Sequence, residues 1–140
     1  MSNFFNLGIM QGRLSKVENG NIQSFPSKSW EREFKLASKL GIKFIEWTLD
    51  YKDFLKNPIF SINGISKIKQ LSKSNNVFVK SITGDCFMQK PFWKKKNHYN
   101  LILDLKKVVF ACKKIGINYV VIPLVDNGSI KKKMARKEIN

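Results

Sequence analysis

The chain has 140 residues, 43% of them hydrophobic, and a formal net charge of +16. That is enough for one ordinary domain with a real core, and it excludes a disordered composition. No apolar run reaches the roughly 18 residues of a membrane span. No basic and apolar leader opens the sequence, and Cys86 and Cys112 lack a metal-ligand spacing, so both read as reduced thiols of a cytoplasmic protein.

The first expected element is a strand from Phe4 to Gln11, apolar except for Asn6 and ending in Gln11-Gly12-Arg13. A polar loop follows, through Asn19-Gly20-Asn21 to Pro26. Ser29 is suited to cap a helix, with Glu31 and Glu33 in its first turn, where the helix dipole favours acids. Trp30, Phe34, Ala37 and Leu40 recur at helical spacing and form a stripe for burial. Gly41 ends that helix, and Ile42 to Asp50 reads as a second strand.

A loop or short helix runs through Pro58. Asn63 is expected to cap a second helix, with Ile65, Ile68 and Leu71 inward and Lys67, Lys69 and Lys73 outward, ending at Asn75-Asn76. Val77 to Thr83 is the third strand, and Gly84 to Trp93 reads as a long loop. The third helix spans His98 to Lys114, with Leu101, Leu105, Val108, Val109 and Cys112 as its stripe. Asn118 to Leu124 is the fourth strand. Residues 127–140 read as a separate, very basic tail.

One signature repeats. Lys39-Leu40-Gly41-Ile42-Lys43-Phe44-Ile45 is echoed by Lys114-Ile115-Gly116-Ile117-Asn118-Tyr119-Val120, a helix closed by Gly and then an apolar strand, as in repeated βα units. Strands alternating with helices imply an α/β fold with a parallel sheet and right-handed crossovers. The connections into strands are short and those out of strands long, which is how such folds place function at strand C-termini.

The acids follow the same rule. Glu46, Asp50, Asp85 and Asp126 all fall at or just past a strand C-terminus. Gathered at one rim of a cationic chain, they suit a polyol or a metal. Asp50 and Asp126 taken singly fit the commoner use of Asp as a turn or helix cap. Glu46 lies inside the strand run, where capping is not open to it, and reads as functional.

The remaining candidates carry less. His98, the single histidine, lies beside Lys94-Lys95-Lys96 at a helix start and fits the surface. Cys86 fits packing. Arg13 suits a substrate phosphate and equally the surface; Phe92 and Trp93 suit a ligand cover and equally an apolar plug. The basic runs Lys94-Lys95-Lys96 and Lys131-Lys132-Lys133 have no interleaved aromatics or glycines. A solvated Lys-rich surface is therefore favoured over nucleic-acid binding.

Taken together, Gly8-Ile9-Met10-Gln11-Gly12-Arg13-Leu14, Gly41-Ile42-Lys43-Phe44-Ile45-Glu46-Trp47 and Thr83-Gly84-Asp85-Cys86-Phe87-Met88 resemble the sugar phosphate isomerase/epimerase family, a xylose-isomerase-like TIM barrel group. The likeness runs to about Asp126, so the domain it implies is 1–126, the first four strands of a (β/α)8 barrel, which as a whole needs on the order of 250 residues. The implied chemistry is proton transfer next to the carbonyl of a ketose or ketose phosphate, through an enediolate stabilised by a divalent Mn or Mg ion. The family's metal ligands and its proton-exchanging carboxylates belong to the other half of the barrel, so the chain by itself is expected to be inactive. The resemblance makes Glu46, Asp85, Gln11, Arg13 and Trp47 the substrate contacts.

Two other classes stand beside this one: an AP-endonuclease-like DNA-binding relative, disfavoured by the single histidine, and a non-enzymatic half-barrel that self-associates. The architecture expected is four parallel strands in sequential order, with helices on one face and an apolar, partly open face opposite. Glu46 should point to that open face, with Arg13, Lys80 or a ligand hydroxyl approaching it.

Overall fold

The computed structural model describes residues 6–16, 24–94, 96 and 98–130. Phe4 and Phe5, the Asn19-Gly20-Asn21 stretch, Lys95 and the basic tail after Ile130 lie outside them. The order is β1 (Gly8–Met10), α1 (Trp30–Lys39), β2 (Phe44–Thr48), α2 (Ile62–Asn75), β3 (Phe78–Thr83), α3 (Asp85–Gln89), α4 (Tyr99–Ile115) and β4 (Tyr119–Val121), with short 3-10 turns between. The four strands form one sheet in the order β1-β2-β3-β4, and every neighbouring pair is parallel.

Alternation along the strands sorts the two faces. Ile45, Trp47, Val79 and Ile82 are buried on one face, in one core with Trp30, Phe34, Ala37, Ile68, Val108, Ala111 and Cys112 from the helices. In-register rows on the other face are Phe44 with Phe78, then Met10, Glu46, Ser81 and Tyr119, then Thr48, Thr83 and Val121. This face is partly uncovered: Phe78 is 40% exposed and Tyr119 70%. Its rim is apolar, as expected, but its centre is polar, built of Glu46, Thr48, Ser81 and Thr83.

A bulge in β3 produces that centre. Ile45 pairs with Val79, yet Glu46 pairs with Ser81, so Lys80 is the extra residue. A bulge shifts the alternation by one. It carries Ser81 and Thr83 to the face of Glu46 and removes Lys80 from it.

Several local expectations change for identifiable reasons. Leu40 follows α1 as its C-cap and is exposed, as is Val109, whose place in the α4 core Ala111 takes. Ser29 stands at the start of α1, but its hydroxyl donates to Ser15 Oγ (2.9 Å) and caps nothing. The start of α2 moves to Ser61, whose Oγ accepts from the Gly64 amide at 3.0 Å. Asn63 is therefore inside the helix. The segment after β3 is α3 and a 3-10 turn at Phe92–Lys94 rather than a loop. Trp93 is buried there and its indole N–H donates to the Gly128 carbonyl at 3.1 Å.

Candidate functional site: a carboxylate mouth at the strand C-termini

Glu46 sits in β2 on the uncovered face. Its carboxylate accepts hydrogen bonds from Ser81 Oγ (2.8 Å) and from Thr83 Oγ1. The expectation that Arg13 or Lys80 approaches it is corrected: both are exposed and neither forms an ion pair with it. The bulge explains Lys80, and the Gly12 turn directs Arg13 outward.

Asp85 begins α3, two residues past β3, and is buried. Its carboxylate accepts no hydrogen bond from the described residues. Burial pushes it up to about 6, and the nearby charges of Asp50 and then Glu46 act in the same direction. The sequence places these three acids at strand ends; the fold brings them within electrostatic reach of one another.

Asp50 is a long-range fastener rather than the cap of a following helix or turn: its partners are 25 and 39 residues away. Its Oδ2 accepts from the Phe25 amide (2.8 Å) and its Oδ1 from Gln89 Nε2 (3.1 Å). Gln89 Oε1 in turn accepts from the Tyr51 amide at 2.7 Å. Asp126 lies in an exposed turn after β4, with φ 48°.

Gln11, at the end of β1, is fully buried. Its amide N–H continues the ladder to the Glu46 carbonyl at 2.8 Å. Beyond this the chain turns at Gly12, where φ is +91° and a Cβ would meet the Ser24 carbonyl oxygen at 2.8 Å. The next ladder bond is made by a side chain: the Thr48 amide donates to Gln11 Oε1 (3.2 Å), while Thr48 Oγ1 donates to the Gln11 carbonyl (3.2 Å). Gln11 Nε2 is buried without an acceptor.

Trp47 has its side chain on the opposite face. It packs on Phe25 and Trp30, with ring centroids at 5.4 and 5.5 Å, and its indole N–H donates to Asn57 Oδ1 at 3.0 Å. As a substrate contact it is corrected to a core residue, because the strand alternation that turns Glu46 outward turns Trp47 inward. Burial pushes the Cys86 thiol up to about 12 and the Cys112 thiol up to about 11, so both are protonated and inert at neutral pH. His98 is exposed at the residue before α4, and its side chain makes no capping bond.

Glu33, expected only as a first-turn acid of the helix, has a larger role. It is fully buried, and its Oε1 accepts from the Gly12 amide (3.0 Å), the Leu14 amide (3.2 Å) and Ser15 Oγ (2.9 Å). It thereby fixes the loop that carries Gln11. Burial raises its carboxyl above the usual range, against the lowering effect of those hydrogen bonds. The signal was present: Glu33 lies three residues after Trp30 and four before Ala37, on the buried stripe itself. Glu33→Ala should cost about 2 kcal/mol by stranding loop amides. Hydrogen exchange should then accelerate at Gly12 and Leu14 and stay unchanged in α4; unchanged exchange at both amides would show that the loop holds itself.

Among the described residues no group of three or more His, Cys, Asp or Glu is placed to hold a metal ion. The resemblance puts the ligands of its divalent ion in the other half of the barrel, so the carboxylates of the mouth are not expected to hold it. What the mouth offers is hydroxyl acceptance, which Glu46 already performs for Ser81 and Thr83. No protein-family model matches the chain, and no curated protein matches its sequence.

Proposed function

We propose that the chain supplies the first four βα units of a (β/α)8 barrel of the sugar phosphate isomerase/epimerase type, and that its mouth holds a ketose or ketose phosphate by its hydroxyls. The observation that carries this reading is Asp85, whose carboxylate accepts no hydrogen bond from the described residues, set beside Glu46 and Asp50 at the C-terminal ends of parallel strands. A carboxylate that no described side chain or amide occupies is open to donors from a ligand, and a polyol brings several without adding charge. Arg13, exposed on the same loop as Gln11, is available to a phosphate at the rim. In the complete barrel, proton transfer beside the carbonyl falls to the other half, and this half binds and orients the sugar.

Titration of the chain with a ketopentose phosphate, followed by NMR, tests the reading. Shifts should centre on Glu46, Ser81, Thr83 and Asp85, with no turnover by the chain alone. Binding should fall roughly tenfold or more in Glu46→Gln, a loss of about 1.4 kcal/mol or more, and stay level in His98→Ala. Shifts confined to the helical face, or full affinity in Glu46→Gln, would sink it.

A second reading rests on the uncovered face. Parallel sheets are normally covered on both sides, and here Phe78, Tyr119 and Val121 are exposed beside the edge strands β1 and β4. A second copy laid on this face would cover them and close the edges. Size-exclusion chromatography with light scattering should then give a dimer or larger species in the micromolar range, despite the charge of +16. A monomer up to millimolar concentration refutes it.

A further inference from the structure

We propose that the outward face of α4 is a docking seam for an acidic amphipathic helix of another protein. Val108, Ala111 and Cys112 turn one side of α4 into the core, with Leu105 packed beside them. At about 100° per residue, Tyr99, Leu103 and Phe110 fall close to half a turn away from that side. This face lies apart from the mouth, and a further helix packed on either flank of α4 leaves it outward. Tyr99 is 69% exposed and Phe110 67%, and Leu103 between them is half-buried. A helix of a lone domain normally keeps its solvent side polar, so an apolar line there marks a contact surface.

Charge decides the occupant. Lys106 and Lys113 border the line on one side, Lys107 and Lys114 on the other, and all four are exposed. Asp104 engages Lys107 at 2.8 Å. Among the described residues the other three form no ion pair. A second copy laid on this seam would set lysines against lysines, in a chain of net charge +16. A helix with Glu or Asp beside its own apolar stripe meets them instead, as flanking acids do across a coiled-coil seam. The line is also narrow, three side chains along about 16 Å of helix. That is less than the roughly 100° stripe an amphipathic helix buries in a core, and it matches the seam between two paired helices. About three turns of partner helix cover it.

Two synthetic helical peptides test this, each with one leucine seam, the first bordered by glutamates and the second by lysines. With the ¹⁵N-labelled full chain, the glutamate peptide should shift the amides of Leu103, Lys106 and Phe110, and the lysine peptide should not bind. Phe110→Ala, a substitution at an exposed site, should weaken the glutamate peptide roughly tenfold, and raised salt should weaken it further. No shift with the glutamate peptide overturns the proposal. Shifts scattered over lysines elsewhere, or equal affinity in Phe110→Ala, reduce the binding to bulk charge and overturn it too. Seam shifts with phosphatidylglycerol vesicles but not with the glutamate peptide would assign the face to a membrane surface. Seam shifts that grow with protein concentration alone would assign it to a second copy, and either result ends the acidic-helix reading.

Discussion

Trp47→Ala is expected to cost about 3–5 kcal/mol, the range for removing a large aromatic from a core. Trp47 is wholly buried, lies edge-on to Trp30, packs on Phe25 and bonds Asn57. Those contacts join β2 to α1, to the loop after β1 and to the turn before α2. Against the roughly 5–15 kcal/mol that holds a domain folded, the loss leaves the chain largely unfolded or molten. Urea denaturation followed by far-UV circular dichroism measures it. Trp47→Phe keeps most of the apolar volume and loses the indole bond, so it should fold, less stably by about 1–2 kcal/mol. Since Trp47 faces away from the mouth, Trp47→Phe should bind a ketose phosphate as the unmodified chain does. A selective loss of binding in a well-folded Trp47→Phe would return Trp47 to the site.

Asp85→Asn should do the opposite and stabilise the chain. The Asp85 carboxyl rises from its ordinary 3.8 to about 6 on folding, so between those values the folded chain binds more protons than the unfolded one. Stability then falls as the pH rises through this window and levels off above it. At neutral pH the buried charge costs about 2–3 kcal/mol, since a tenfold change in proton affinity corresponds to about 1.4 kcal/mol. Asparagine removes the charge at similar volume. The Tm at pH 7 should rise by roughly 6–10 °C for a chain of this size, and the decline between about pH 4 and 6 should flatten. The same substitution should weaken polyol binding, the exchange of stability for function expected at a site. Glu33 adds to the pH slope in the same sense, since burial raises its carboxyl too. The comparison of Asp85→Asn with the unmodified chain isolates the Asp85 share. An unchanged Tm together with an unchanged pH profile would mean that Asp85 finds a donor in solution.

Much of this could be read from the chain by local rules. The order of helices and strands follows from apolar periodicity and from Gly41 and Gly116, both with positive φ at helix ends. The parallel sheet follows from the alternation, and the acids lie near strand ends because they close apolar runs. The faces of Glu46 and Trp47 are equally legible in principle, since adjacent strand residues point apart.

Tertiary structure alone decided the rest. The bulge at Lys80 depends on how β3 registers against β2, a long-range choice with no turn residue to mark it, and it exchanges a lysine for two hydroxyls beside Glu46. Glu33 and Glu31 look alike in sequence; only the loop folding back over α1 supplies amides for Glu33 and leaves Glu31 near Lys67 at 3.4 Å. Gln11 reads as one polar residue ending a strand, and its unmet nitrogen arises only because the Gly12 turn makes its side chain stand in for a carbonyl. In each case the sequence determined which polar group was present, and packing between segments far apart in the chain determined whether that group found a partner.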